Sequence, residues 1–466
     1  MLSCVCGSSH LSENLFGALT DRGAATDQNS NMDRVNCLAR HLSAGLAPQT
    51  QDNSRVVQDL RPSPASANFC ETEKADDDVV ICCAVRTAIT KARRGAFKDT
   101  PCEEMLSALF KAVLARTGIN VKDIDDVHIG NALQPGAGEV TSRMAQFLAG
   151  MPHEVPLTTV NRQCSSGLQA VANVGALIRA GLIDVGLAGG VESLSMYPNM
   201  LPIDPKKLSK EATDNESAVA CLTPMGITSE NVAEQWHIPR SRQDAMAVDS
   251  HAKALAAQSQ GLFDSEIVPL TTTVKGKDGT MTQVMVKKDE GPREGVTVES
   301  LSKMKPAFKE GGSTTPGNAS QVSDGAAMTL VARRSAAAKL GLPILARLRS
   351  FAVVGVDPKV MGIGPMYAIP IALEKAGLKL EDIDIFEINE AFASQATLTV
   401  DHLKIPMDKV NPKGGAIALG HPLGCTGARQ IATLLPELRR KGGKYGVVAM
   451  CIGTGMGAAS VFELEQ

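Results

Sequence analysis

Sixteen consecutive residues of this chain recur in related form. Thr117-Gly-Ile-Asn-Val-Lys-Asp-Ile-Asp-Asp-Val-His-Ile-Gly-Asn-Ala132 aligns without a gap on Ala376-Gly-Leu-Lys-Leu-Glu-Asp-Ile-Asp-Ile-Phe-Glu-Ile-Asn-Glu-Ala391. Self-similarity at a constant offset makes the chain two related halves. Extending the offset with small shifts sets Val160-Asn161 opposite Val410-Asn411, and the turn at Cys164 opposite the turn at His421. Two equivalent strand-to-helix corners then face each other across a pseudo-dyad. From Asp78 onward strands and helices alternate: an apolar strand at Val79-Val80-Ile81-Cys82-Cys83-Ala84-Val85, a helix near 102 to 116, a strand at 126 to 130. Such alternation implies parallel α/β layers.

At 466 residues the chain has room for two or three domains, each with its own core. Its 44% apolar and 21% charged residues exclude general disorder and a collagen-like architecture. With a formal charge of −3 there is no basic excess to neutralise the phosphates of a nucleic acid. Arg179 and Asp184 break the longest apolar stretch, so no run reaches the ~18 residues a membrane-spanning helix requires. The 11 cysteines are odd in number and scattered, without paired C-x-x-C spacing that would cage zinc, which favours a reducing compartment.

Residues 1 to 75 read as a leader, because no lysine precedes Lys74 and apolar runs are few. Glu13, Asp21, Asp27, Asp33, Asp52 and Asp59 weaken a mitochondrial reading, since transit peptides are poor in acids. Within the leader, Arg34-Val35-Asn36-Cys37-Leu38-Ala39-Arg40-His41-Leu42 would stack Val35, Leu38 and Leu42 on one helical face. It resembles the type-2 peroxisomal targeting nonapeptide; a short amphipathic helix is the plainer alternative. The resulting division is a leader over 1–75, an N-terminal domain over 76–195 plus 316–340, a polar insert over 196–315 and a C-terminal domain over 341–466. In the insert, lysine-rich strands flank an Asp278-Gly279 turn, and Lys275, Lys277, Lys287, Lys288 and Arg293 form either an anion-facing surface or a solvated one.

Four segments carry candidate chemistry. Cys164 stands between an extended segment and a small-residue helix, where the positive end of the helix dipole favours thiolate and free N–H groups can hold an oxyanion. A small core hydrophobe explains the same cysteine. His421, in a turn of small residues beside Pro422, is placed to take a proton or to be structural. Cys451 ends an apolar strand before Gly453 and Gly455; only nine residues follow Gly457, too few for a dinucleotide-binding βαβ unit. A structural turn or a second catalytic thiol beside a backbone-amide pocket remains. Asn389 sits at the end of the repeated strand, either holding a water for an oxyanion or capping a helix.

Together these segments resemble the thiolase family: Val-Asn-Arg-Gln-Cys-Ser-Ser-Gly about Cys164, Asn-Glu-Ala-Phe from Asn389, Gly-His-Pro about His421 and Cys-Ile-Gly-Thr-Gly from Cys451, in the family's order and spacing. The match runs from Asp77 to Glu463 and is strongest to the degradative peroxisomal 3-ketoacyl-CoA thiolases, which Leu222-Thr223-Pro224-Met225-Gly226 also favours. The resemblance implies an α/β fold of two duplicated βαβαβαββ halves in a layered α/β/α/β/α core with an inserted loop domain. It implies an acyltransferase that cleaves 3-ketoacyl-CoA with CoA, the last step of fatty-acid β-oxidation. Cys164 would be the nucleophile, His421 its base and Cys451 the second acid and base. Asn389 would hold an oxyanion water, and the amides of Cys164 and Gly453 a tetrahedral oxyanion.

Met225, Ser320, Met361 and Phe392 would line the substrate channel. CoA and 3-ketoacyl-CoA would be partners, with no metal or other cofactor, in a homodimer. Arg34, Val35, His41 and Leu42 would address a peroxisomal import receptor, with mitochondrion or cytoplasm as alternative locations. Acetoacetyl-CoA condensation is the rival activity, and a non-catalytic lipid-binding or scaffold role the rival class. Pro412-Lys413 and Cys425 depart from the family's usual pattern, Cys425 reading as packing. Cys221, on a loop near Met225, is a candidate for oxidation against Cys164.

Overall fold

The structure, a computed structural model, describes residues 66–70, 73–199, 203–276 and 278–465. The nonapeptide Arg34–Leu42 lies outside the described residues. In chain order the strands are β1 (Ser66–Asn68), β2 (Val79–Arg86), β3 (Thr90–Lys91), β4 (Asp126–Gly130), β5 (Leu157–Val160), β6 (Val185–Ser193), β7 (Leu270–Lys275) and β8 (Met281–Val286). They continue with β9 (Ser323–Arg333), β10 (Ala346–Gly355), β11 (Ile385–Ile388), β12 (Tyr445–Ile452) and β13 (Met456–Leu464).

Hydrogen bonding runs in the order β11-β12-β13-β10-β2-β9-β6-β4-β5. The β10–β2 seam holds only two residue pairs, Ala346 with Ile81 and Arg347 with Val80, so the order divides there into two half-sheets. They repeat one another. In each, one parallel pair is followed by antiparallel neighbours: β4 with β6, then β9 and β2, against β11 with β12, then β13 and β10. Each inner edge strand carries the same irregularity, between Ile81 and Cys83 in β2 and between Leu348 and Ser350 in β10. A bulge shared at equivalent positions is a feature kept through duplication.

The repeated segments adopt equivalent structures. Helix Cys102–Thr117 ends on left-handed Gly118, passes the turn Val121–Asp123 and enters β4; helix Gly364–Ala376 ends on left-handed Gly377, passes Leu380–Asp382 and enters β11. Glycine suits both C-caps because it adopts positive φ without a Cβ penalty. Asp125 then accepts the N–H groups of Asp184 and Val185 at the start of β6, as Asp384 accepts those of Lys444 and Tyr445 at the start of β12.

Side-chain alternation shows why both sheets are apolar on both faces. Val80, Cys82 and Val85 of β2 face the cluster containing helix Cys102–Thr117, while Val79 and Ile81 face a central cluster. In the other half Val447 and Ala449 of β12 face the cluster containing helix Gly364–Ala376, and Val448 and Met450 the central one. Helices Ser166–Arg179 and Leu423–Lys441 fill that centre, the second buried almost all round, which marks a helix enclosed between sheets. The result is five layers, helix, sheet, helix, sheet, helix. Contact between the halves is close: a Cβ at Gly190 would lie 1.9 Å from the Gly424 carbonyl oxygen.

Two details differ from the sequence expectation. Ser66–Cys70, assigned to the leader, joins the folded body: β1 pairs antiparallel with β10, and Phe69 and Cys70 enter the central cluster. A three-residue strand gives no periodicity to read, which is why the boundary was set near 75. The insert contributes its own hairpin, β7 with β8, yet does not build a separate core. Its Ala254, Phe263 and Ile267 complete the N-terminal outer cluster and its Met246, Ala247 and Leu301 the C-terminal one.

Candidate active site

Each corner ends in a backbone that ordinary residues adopt reluctantly. After β5 the chain turns through Gln163 at φ 48°, places Cys164 in the single turn Gln163–Ser165 and enters helix Ser166–Arg179. The Arg162 N–H donates to Ser166 Oγ at 3.0 Å and the Gln163 N–H to Asn161 Oδ1 at 2.9 Å, which hold the corner. On the other half Val410 makes a single parallel bridge to Phe386, Asn411 takes φ 42°, and the short helix Ala416–Leu419 leads through Gly420 to His421. The His421 N–H donates to the Gln321 carbonyl at 3.1 Å, and helix Leu423–Lys441 follows. Thr454, between Gly453 and Gly455 in the β12–β13 turn, has φ 66°. A β-branched residue at positive φ is strained, and strain of this kind concentrates at functional sites.

These corners meet. Asn389 Nδ2 donates to His421 Nε2 at 3.3 Å. His421 Nδ1 lies 2.6 Å from Thr426 Oγ1, whose hydroxyl donates to the Pro422 carbonyl at 3.1 Å. With its proton committed there, Thr426 accepts from Nδ1–H, which leaves Nε2 as the basic nitrogen facing the site. The backbone N–H groups of Gly453 and of Cys164 both favour the Cys164 thiolate, and charge on Cys164 raises Cys451, so both amides and the second sulfur surround the first.

Burial dominates the electrostatics. It pushes the Cys164 thiol up to about 11, against the N–H groups that lower it, and holds His421 down at about 3, helped by the Arg429 cation. Cys451 is raised well above the ordinary thiol range, first by burial and then by Cys164. The helix N-terminus, which favours thiolate, is thus opposed by desolvation, which raises the Cys164 thiol and lowers the His421 imidazole.

The expected channel residues gather about Cys451. Met361, Ala391 and Cys451 form one buried cluster, against which Met225 and Phe392 pack. The Ser320 N–H donates to the Ala391 carbonyl at 3.0 Å, and Ala319 bridges Phe392. Phe308 was not found from sequence; its ring meets that of Phe392 edge-on, with centroids 6.2 Å apart. Thr426 and Glu192 were also missed. Glu192, buried at the end of β6, accepts the N–H groups of Ala132, Leu133 and Gly424. Cys425 packs with Ile89, Ala327 and Ala428, away from the chemistry. Cys221 donates its thiol to the Ser217 carbonyl of its own helix at 3.8 Å. Lys413, a departure from the family's pattern, is buried with Nζ 2.6 Å from Glu266 Oε2. Arg293 donates its N–H to His251 Nδ1 at 3.2 Å, and Lys287 and Lys288 lie near Phe263. Among the described residues no cluster of His, Cys, Asp and Glu is arranged to hold a metal ion, and no helix is long and apolar enough to cross a membrane.

Comparison with known proteins returns one answer. Residues 79–335 match the model of the thiolase N-terminal domain and residues 342–464 that of the thiolase C-terminal domain. The chain is 59% identical over 433 residues to 3-ketoacyl-CoA thiolase B, peroxisomal, of Rattus norvegicus, covering 93% of this chain and 99% of that protein. It is 59% identical over 387 residues to the peroxisomal 3-ketoacyl-CoA thiolase of Homo sapiens, covering 83% and 91%. The crystal structure of the dimeric peroxisomal thiolase of Saccharomyces cerevisiae superposes with a TM-score of 0.78 at 50% identity, covering 84% of this chain and 99% of that one.

Proposed function

The chain belongs to the thiolase family, and on that premise we propose that it cleaves 3-ketoacyl-CoA with CoA to acetyl-CoA and a chain-shortened acyl-CoA, the closing step of a β-oxidation round, in the peroxisome. The observations that support the reading are two buried pairs and a shared wall: charge on Cys164 raises Cys451, Asn389 Nδ2 donates to His421 Nε2 at 3.3 Å, and Leu423, two residues past His421, packs in the cluster that holds Cys164.

The reaction begins as His421 Nε2 takes the Cys164 proton while the sulfur adds to the 3-keto carbon. The amides of Cys164 and Gly453 hold the tetrahedral oxyanion. A proton transfer coupled to attack suits groups whose charged forms burial disfavours. The bond between the α-carbon and the keto carbon then breaks, leaving the acyl group on Cys164 and its electron pair on an acetyl-CoA enolate. His421, now a donor, and a water held by the Asn389 amide stabilise the enolate oxygen. Cys451 gives its proton to the enolate carbon and releases acetyl-CoA. Its thiolate deprotonates incoming CoA, whose sulfur displaces the acyl group from Cys164, and the proton on His421 returns to the Cys164 thiolate so released. CoA is a substrate throughout, and the relay uses no further cofactor.

Met225, Ser320, Met361 and Phe392, with Phe308 beside them, would contact pantetheine and acyl chain. Support for a homodimer comes from a contrast between topologically equivalent helices. Helix Ala393–Leu403 is covered by the insert helices Met225–Gln235 and Arg240–Ser259. Helix Glu139–Leu148 leaves Val140, Met144, Phe147 and Leu148 exposed beside edge strand β5. A second copy would cover that face. Peroxisomal entry would use Arg34, Val35, His41 and Leu42 as the receptor's address.

The test is a CoA-dependent thiolysis assay across 3-ketoacyl-CoAs of graded chain length, with the acyl group trapped before CoA is added. An active enzyme whose Cys164 peptide carries no acyl mass would refute the mechanism.

A further inference from the structure

The side chain of Cys164 is walled by Ala132, Leu133, Leu194 and Leu423. One fully buried carboxylate organises that wall from behind. Glu192 Oε2 accepts the Ala132 N–H at 2.9 Å and the Gly424 N–H at 3.0 Å, and Oε1 accepts the Leu133 N–H at 3.2 Å. The first and third donors lie two and three residues past the end of β4 in the N-terminal half. The second lies in the first turn of helix Leu423–Lys441, three residues beyond His421. One side chain thus ties the base-bearing turn of one half to the nucleophile's pocket in the other. No step of the thiolysis sequence uses it.

We propose that Glu192 is a positioning residue: its carboxylate straps the His421 turn onto the wall of the Cys164 pocket and sets a negative charge behind the nucleophile. The proposal rests on the assignment of Cys164 as nucleophile and His421 as base. The groups that hold the Glu192 charge are dipoles rather than countercharges: three backbone N–H groups and the Asn131 amide. The titratable groups facing it are thiols. Cys102 of helix Cys102–Thr117, Cys164, and Cys425 of helix Leu423–Lys441 are each raised by its charge, and Asp324 of neighbouring β9 turns to Ser193 and Ser195 instead. Burial, opposed by the donated N–H groups, brings Glu192 to about 7, so its charge changes near neutral pH. When it ionises, Cys164 becomes harder to deprotonate; when it is neutral, the thiol is the better nucleophile.

Glu192→Gln separates the two contributions, because glutamine keeps the volume, loses the charge and sets an NH2 group against at least one backbone donor. Relative to wild type, Cys164 alkylation by iodoacetamide at pH 8, located by peptide mass, should rise about tenfold, while kcat for thiolysis falls about tenfold through the loosened His421 turn. An unchanged alkylation rate and pH profile with only a lower Tm would overturn the proposal. Should the variant not fold, wild type carries the test. Its alkylation rate plotted against pH should flatten near 7, and an unbroken tenfold rise per pH unit would overturn the idea. A flattened profile on an enzyme whose Cys164 takes up no acyl group would leave Glu192's effect on the thiol standing and remove the thiolysis mechanism instead.

Discussion

The two halves place different chemistry on the same corner. Sheet register pairs Ile129 with Gly189 in one half and Ile388 with Ala449 in the other, which makes Gly130 the counterpart of Asn389 and Val191 that of Cys451. At Gly130 a Cβ would lie 2.4 Å from the Ser166 backbone, so the helix behind Cys164 needs a bare backbone there. At Asn389 the equivalent place has room for an amide that reaches His421. Cys164 follows Val160 by four residues and His421 follows Val410 by eleven, the excess holding helix Ala416–Leu419. One half is stripped to seat a nucleophile against a helix end. The other is elaborated to bring base, amide and second thiol to meet it.

Breaking the nucleophile should have the largest effect. Cys164→Ser is expected to keep the fold and lose about 10³-fold or more in turnover, with no acyl-enzyme by mass spectrometry. Cys451→Ser should slow the carbon–carbon step to a similar extent and acyl exchange between Cys164 and CoA less, a split read by isotope exchange. Full thiolysis by either variant would dissolve the division of labour.

Reciprocal substitutions at the equivalent strand ends sharpen the contrast. Gly130→Asn should cost about 3 kcal/mol or more of stability in denaturant titration, because a side chain is driven into backbone. Asn389→Gly should leave the melting curve nearly in place and lower kcat about 100-fold, the usual loss for one oxyanion donor. Equal stability losses at the two sites would contradict the asymmetry.

Smaller effects come from support around the base and from the surface. Thr426→Val should reduce kcat about tenfold and Thr426→Ser restore it, since only the hydroxyl fixes the imidazole tautomer. Met144→Glu combined with Phe147→Glu should shift the sedimentation coefficient toward monomer with only a modest change in rate per folded subunit. A dimer that survives both charges would place the interface elsewhere.

Much of this was legible in the chain. The repeat gave the duplication because Asp125 and Asp384 do the same backbone work in both copies, and local motifs exposed Cys164, His421, Asn389 and Cys451 because small residues surround each. The rest lives in contacts between distant segments. Thr426 reads as an ordinary helical threonine until His421 turns back onto it. Glu192 looks like a carboxylate at a strand end until helix Leu423–Lys441 brings Gly424 to it. Phe308 is a lone aromatic in a polar insert until that insert folds across Phe392. Nor does a dipole argument carry the weight of desolvation, which depends on everything packed around the thiol.

Lys74 and Arg334 both bind Glu465, drawing the link between β1 and β2, the junction of the halves and the end of the last strand to one place. Topologically the folded body is therefore almost a ring, with its natural opening at that knot. A gene reordered to begin at the exposed Asp278-Gly279 tip of the hairpin, with a peptide sewing 465 to 66 so that β1, Phe69 and Cys70 are kept, would ask the polypeptide to reach the same architecture from a different starting point.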